Sequence, residues 1–275
     1  MEQESLPQYV GGVRVDPVTE DEVLNIIVRA VATRVLCRIH TLNVDHVVLA
    51  HRYPDFAAAI QTARVVVPDG MPLVWLLNKR GLGVSRITGV DLMERILRNY
   101  SFRVALLGGE AGVGDAVRQT AAEHGWCADI VSILAPQRAD VVSIARSEAL
   151  VGQIRGLNVD VLFVSFGAPL QEQWLYHHEK ALNVPVLIGV GAAMDFLAGR
   201  IRRAPPFVRN HGLEWLYRMA QDPVRLGARY IGRDWRFVPL IWKYRKRPGP
   251  LILGLGVPER TVLLEGSSQH EEPAG

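Results

Sequence analysis

Six short apolar runs rich in β-branched residues recur along the chain, at 35–42, 65–67, 104–107, 130–133, 159–165 and 186–190. Helical periodicity separates most of them, at 56–61, 92–97, 113–123 and 170–182. Runs this apolar are buried on both faces, and strands that alternate with helices build βαβ units around a mainly parallel sheet. Right-handed crossovers place helices on both sides of it, so the expected fold is a doubly wound α/β layer structure. Ahead of the first run, Thr19 and Glu22 have the spacing of a capping box, and Val23, Ile26, Ile27, Ala30 and Val31 follow the helical period.

A chain of 275 residues can bury one substantial core with room for an appendage. Pro205-Pro206 marks the break, giving an α/β core over 1–203, a basic aromatic appendage over 204–250 and a largely disordered tail over 251–275, polar and small from Gly266. Residues 200–247 hold thirteen Lys or Arg against three acids, a net +10, which leaves −7 for the rest of a chain whose total is +3. So uneven a distribution points to an anionic partner for the appendage. The polar start has no signal-peptide pattern, and no uninterrupted apolar stretch is long enough to span a bilayer. Cys37 and Cys127 stand in unrelated contexts, so neither a disulfide framework nor a metal pattern is expected, and a reducing compartment fits.

In an open parallel sheet, ligands sit beyond the carboxyl ends of the strands. Those ends carry Thr41-Leu42-Asn43, Pro68-Asp69-Gly70, Gly108-Gly109, Gly167-Ala168-Pro169 and Gly189-Val190-Gly191 followed by Asp195. Glycines there allow close backbone approach, and a helix starting after Pro169 would turn free N–H groups toward phosphate. Neither the dinucleotide G-x-G-x-x-G spacing nor a Walker lysine loop is complete, and no D-x-D suggests a metal-bridged diphosphate. His40, His46, His51, His177 and His178 show no metal spacing and read as core or surface histidines.

These blocks, with Arg86-Ile87-Thr88-Gly89-Val90-Asp91-Leu92, Phe166 to Glu172, Gly189 to Phe196, Ala198 to Pro205 and Gly212 to Arg218, resemble the WecG/TagA/CpsF family, glycosyltransferase family 26, over roughly 10–240. The resemblance implies a Rossmann-like core and inverting, metal-free transfer of N-acetylmannosamine, its uronic acid or glucose. The donor is a UDP-sugar used as co-substrate, with no cofactor, and the acceptor is a polyprenyl-diphosphate-linked saccharide of cell-surface polysaccharide synthesis. Two positions depart from the pattern: Leu170 stands where many relatives are basic, and 134–137 lacks a His-Gly-aromatic turn.

Asp69 is the expected general base, because one-step inversion needs the acceptor hydroxyl deprotonated as it attacks. Thr41 and Asn43 are candidates for sugar or acceptor hydroxyls, Asn43 fitting a helix cap as well. Arg86 and Gln171 complete the catalytic set. Gly108, Gly109, Gly167, Ala168, Gly191 and Asp195 are the nucleotide-side candidates. Arg218, Arg225 and Arg229 are set apart for the departing diphosphate or the membrane. Cations interleaved with Trp215, Tyr217, Tyr230, Trp235, Phe237, Trp242 and Tyr244 suit an anionic membrane surface, and no nucleic-acid motif accompanies them. The expected location is therefore cytoplasmic and peripheral on the inner membrane face; a homo-oligomer is compatible with the sequence. Two rival readings stay open, an NAD-dependent oxidoreductase and a non-catalytic nucleotide-binding, membrane-docking module.

Overall fold

The computed structural model describes residues 6–205, 207–208, 212–245 and 249–251. The main sheet has six parallel strands: β3 (Cys37–Leu42), β4 (Val65–Pro68), β5 (Arg103–Gly108), β6 (Asp129–Leu134), β7 (Val161–Ser165) and β8 (Val186–Gly189). Their order is β4-β3-β8-β7-β5-β6. This is the doubly wound α/β arrangement expected from the alternating pattern, and the Rossmann-like core that the resemblance implies. Each strand divides its side chains between two layers because successive residues point to opposite faces. Val104 and Leu106 of β5 pack with α1 (Glu20–Thr33), α5 (Gly89–Asn99), α6 (Val113–Glu123) and α10 (Ala193–Leu197). Ala105 and Leu107 pack on the other side with α7 (Arg138–Val142), α8 (Ile144–Arg155) and α9 (Leu170–Leu182). Each fully buried leucine of these layers contributes about 1.5–3 kcal/mol of transfer free energy.

Local signals set the helix ends. Thr19 and Glu22 form the reciprocal capping box of α1, whose first turn carries Glu20, Asp21 and Glu22 against the positive end of the helix dipole. Ser147 Oγ accepts from Trp174 Nε1 at 2.5 Å and lies 2.9 Å from His178 Nε2, pinning α8 to α9 within the core.

Four features were absent from the sequence-based expectation. An antiparallel hairpin, β1 (Gln8–Val10) with β2 (Val13–Val15), turns at Gly11-Gly12. Helices α4 (Met71–Asn78), α7 and α8 fill what the periodicity left unassigned. With α2 (Val44–Ala50), α3 (Pro54–Gln61) and α4, the hairpin forms a third apolar cluster. That cluster is completed from the other end of the chain. After α11 (Glu214–Gln221), α12 (Pro223–Gly232) and a 3-10 turn (Asp234–Arg236), α13 (Phe237–Tyr244) lays Phe237, Leu240 and Ile241 on it. The basic appendage is thus seated on the core. The tail expected over 251–275 lies outside the described residues from 252 onward, while Leu251 packs on the same cluster, its N–H donating to the carbonyl of Gly12 at 2.7 Å.

Both cysteines are free, Cys37 buried and Cys127 exposed. Among the described residues, no helix is long and apolar enough to cross a membrane.

Candidate active site

All carboxyl strand ends face one edge of a parallel sheet. The connections after β5 and β7 leave on opposite faces, through α6 and α9, and this divergence opens a crevice between the two strands. The appendage roofs it, enclosing a cleft of about 1150 Å³. Thr41, Asn43, Asp69, Arg86, Gly108, Gly109, Gly167, Ala168, Gln171, Gly191, Asp195, Arg218 and Arg229 all line this cleft. Residues scattered over most of the sequence therefore meet in one place. Arg225 belongs to α12, but its side chain lies outside the described residues.

Asp69 follows β4, its backbone N–H bonded to the carbonyl of Leu42 at 2.8 Å. The carboxylate lies deep in the cleft, with 29% of its side chain accessible. Burial raises its pKa above the ordinary carboxylate value; Arg86, Arg218 and His46 oppose the shift and Glu214 adds to it. A carboxylate moved toward neutrality is a stronger proton acceptor.

Arg86 bridges two acids, with Nε 3.9 Å from Asp69 Oδ1 and Nη2 2.5 Å from Glu214 Oε2. Burial works against its charge, but Asp69, Glu214 and Asp91 outweigh that and hold its pKa above the ordinary value. Glu214 comes from the appendage, 128 residues later, so half of this bridge is brought by the roof.

Two side chains are engaged with the scaffold. Asn43 Oδ1 caps α2 by accepting from the N–H of His46 at 3.2 Å, which leaves its Nδ2 to address a ligand. Gln171 is 2% exposed. Its Nε2 donates to Glu172 Oε1 at 2.6 Å, and its Oε1 accepts from the N–H of Gly191 at 3.2 Å. It holds the turn after β8 from beneath. The N-terminus of α9 is correspondingly less open to phosphate than Pro169 suggests. The N–H of Gln171 bonds the carbonyl of Gly167, and the first turn already holds the buried acid Glu172.

The glycines expected on the nucleotide side shape the wall between β5 and β7. A Cβ on Gly108 (φ +101°) would stand 2.5 Å from the carbonyl oxygen of Ser165, while the Gly109 N–H donates to that oxygen at 3.0 Å. Side-chain-free backbone is the only way these loops can lie so close. Asp195 stands on α10 at the cleft wall, and Arg218 from the roof stacks over Phe196, 5.5 Å from the ring centroid.

His46, expected only as a core or surface histidine, is 6% exposed and lines the cleft. Asp45, Glu214, Tyr230, Arg233 and Asp234 also line it without having been singled out as site residues. Asp234 is pushed up to about 7 by burial and by Asp45 beside it, against Arg229 and Arg233. The acid three residues after Thr41-Leu42 was visible in the sequence; what it meets was not, because its partner lies 188 residues away.

A doubly wound α/β core with a carboxylate at a strand end, and arginines from a C-terminal roof facing it, fits an enzyme that takes its ligand at the carboxyl edge of the sheet. Residues 8–258 match the model of the Glycosyl transferase WecG/TagA/CpsF family. The chain belongs to that family and is a glycosyltransferase. It is 29% identical to the N-acetylglucosaminyldiphosphoundecaprenol N-acetyl-beta-D-mannosaminyltransferase of Staphylococcus aureus strain MRSA252 over 200 residues, covering 68% of this chain and 73% of the relative. The enzymes of the same name from strains MW2 and NCTC 8325 / PS 47 are each 28% identical over the same shares.

Proposed function

We propose that this enzyme transfers a sugar from a UDP-sugar to a polyprenyl-diphosphate-linked saccharide, with inversion and without a metal. N-acetylmannosamine is the first donor to try, since the relatives carry it in their names. The observation that carries the reading is the meeting of Asp69, raised toward neutrality, with cationic side chains of the roof in one cleft.

In this mechanism the acceptor hydroxyl gives its proton to the Asp69 carboxylate as its oxygen attacks the anomeric carbon. The new C–O bond forms opposite the bond to the diphosphate. That bond breaks with its electrons, and UDP leaves. Arg218 and Arg229 neutralise the departing charge, the task a metal performs elsewhere. Arg86, already shared between Asp69 and Glu214, orients the base. Thr41 and the Nδ2 of Asn43 address hydroxyls beside it.

The lipid-linked acceptor brings the enzyme to a membrane. Trp235 and Trp242 are 59% and 69% exposed on the basic appendage, beside the exposed Val238 and Ile231. Tryptophans among cations suit the headgroup boundary of an anionic bilayer, which supports a peripheral, cytoplasmic-face location.

The deciding experiment follows UDP release from UDP-sugars with a synthetic lipid-linked acceptor, the wild type beside Asp69→Asn. Asp69→Asn is expected to lose 10²–10⁴-fold in kcat, the usual contribution of a positioned base. Unchanged turnover removes Asp69 as the base. EDTA is expected to leave the rate intact; full inhibition contradicts the metal-free mechanism.

A further inference from the structure

Core and appendage meet at a ring of four ionisable side chains. Asp45, in the first turn of α2 and 4% exposed, lies two residues beyond Asn43. Arg233, just after α12, donates from Nη2 to Asp45 Oδ2 at 2.8 Å and sets Nε 2.6 Å from Oδ1. Asp234 lies against Asp45, and its Oδ2 is 3.5 Å from Arg229 Nε. All four residues line the cleft. The segment bearing Thr41 and Asn43 is thereby tied to the helix bearing Arg229.

The ring is incompletely satisfied. Asp45 Oδ1, Arg229 Nε, Arg233 Nε and Asp234 Oδ1 are buried without an aligned hydrogen-bond partner, although their charges are in contact. Charges withdrawn from water and imperfectly paired cost much of what their attraction returns, and removing one strands another. Docking through such a ring is therefore finely balanced, unlike the apolar seat of Phe237, Leu240 and Ile241.

We infer that Asp45, Arg233 and Asp234 are positioning residues for the transfer reaction: they latch the basic roof over the cleft and hold Arg229 where the ligand's charge lies. The inference rests on the reading of the site given above. It also makes a claim independent of it, that the roof stays closed through this ring. Whatever binds in the cleft is then linked to closure, since both draw on the same residues.

The test uses the full chain carrying Arg233→Met, Asp45→Asn or the conservative Arg233→Lys. Without ligand, graded tryptic cleavage and tryptophan emission report docking, Trp235 being adjacent to the ring. Arg233→Met and Asp45→Asn are expected to speed cleavage within 212–245 about tenfold while the main thermal transition of the core stays in place. With donor and acceptor, kcat/KM is expected to fall at least tenfold in both, and Arg233→Lys to recover a large part of it by keeping the charge. Wild-type cleavage together with wild-type kcat/KM in Arg233→Met and Asp45→Asn overturns the latch. Should Arg233→Met fail to fold, Asp45→Asn/Arg233→Met, which removes both partners, decides: slow, wild-type-like cleavage counts against the latch and fast cleavage supports it. A wild type that releases no UDP would count against the reaction alone, and the cleavage arm would still judge the latch.

Discussion

As the proposed base, Asp69 sits where two needs conflict. Depth in the cleft raises its pKa, and Arg86 nearby pulls it back. The balance has a measurable sign. A base works only when deprotonated, so kcat/KM should fall as pH drops through the pKa of Asp69, with that acid limb above the ordinary carboxylate range. Glu214 adds to the upward shift directly and also shares Arg86. Glu214→Gln should therefore move the acid limb to lower pH, as Arg86 turns its full charge on Asp69. A limb that stays in place, or moves up, would show that Glu214 does not tune the base. The aspartate was legible in the sequence as an acid in a strand-end turn. Its tuning was not, because the acid that tunes it comes from a helix 145 positions along the chain.

At the scale of elements, the turn after β8 is held by α9. Gln171→Leu would strip the N–H of Gly191 and the buried Glu172 of a partner, each loss costing about 1–3 kcal/mol. Urea unfolding should show that destabilisation; an unchanged midpoint beside reduced activity would make the amide a ligand contact instead. The ends of α6 and α9 agree with their periodicity to the residue, because an amphipathic stripe is a local property. Helix α4 escaped because Met71 to Asn78 is apolar nearly all round and carries no stripe to read. Strands of three residues, as in β1 and β2, are too short for alternation to stand out, though the Gly11-Gly12 pair between them was a usable turn signal.

For the whole molecule, charge is divided as the sequence indicates, and the appendage turns part of that charge inward. Arg218, Arg229 and Arg233 line the cleft, while Trp235, Val238 and Trp242 face outward. Vesicles containing anionic lipid should therefore pellet the protein, with binding that weakens steeply as salt rises, and neutral vesicles should do so poorly. Equal binding to both, or stronger capture by RNA than by vesicles, would exclude the lipid surface as the partner.

From the sequence alone came the α/β alternation, the strand-end glycines and acids, the basic C-terminal block and the resemblance to a glycosyltransferase family, all of them patterns spanning a few neighbouring residues or a regional sum of charge. Only the tertiary structure decided that Arg86 meets Glu214, that Arg233 meets Asp45, that His46 enters the cleft and that Gln171 is spent beneath a turn. Those pairings depend on the order of strands in the sheet and on where the appendage lands. Both are settled by burying several apolar surfaces at once, a cooperative outcome that no single stretch of the chain encodes.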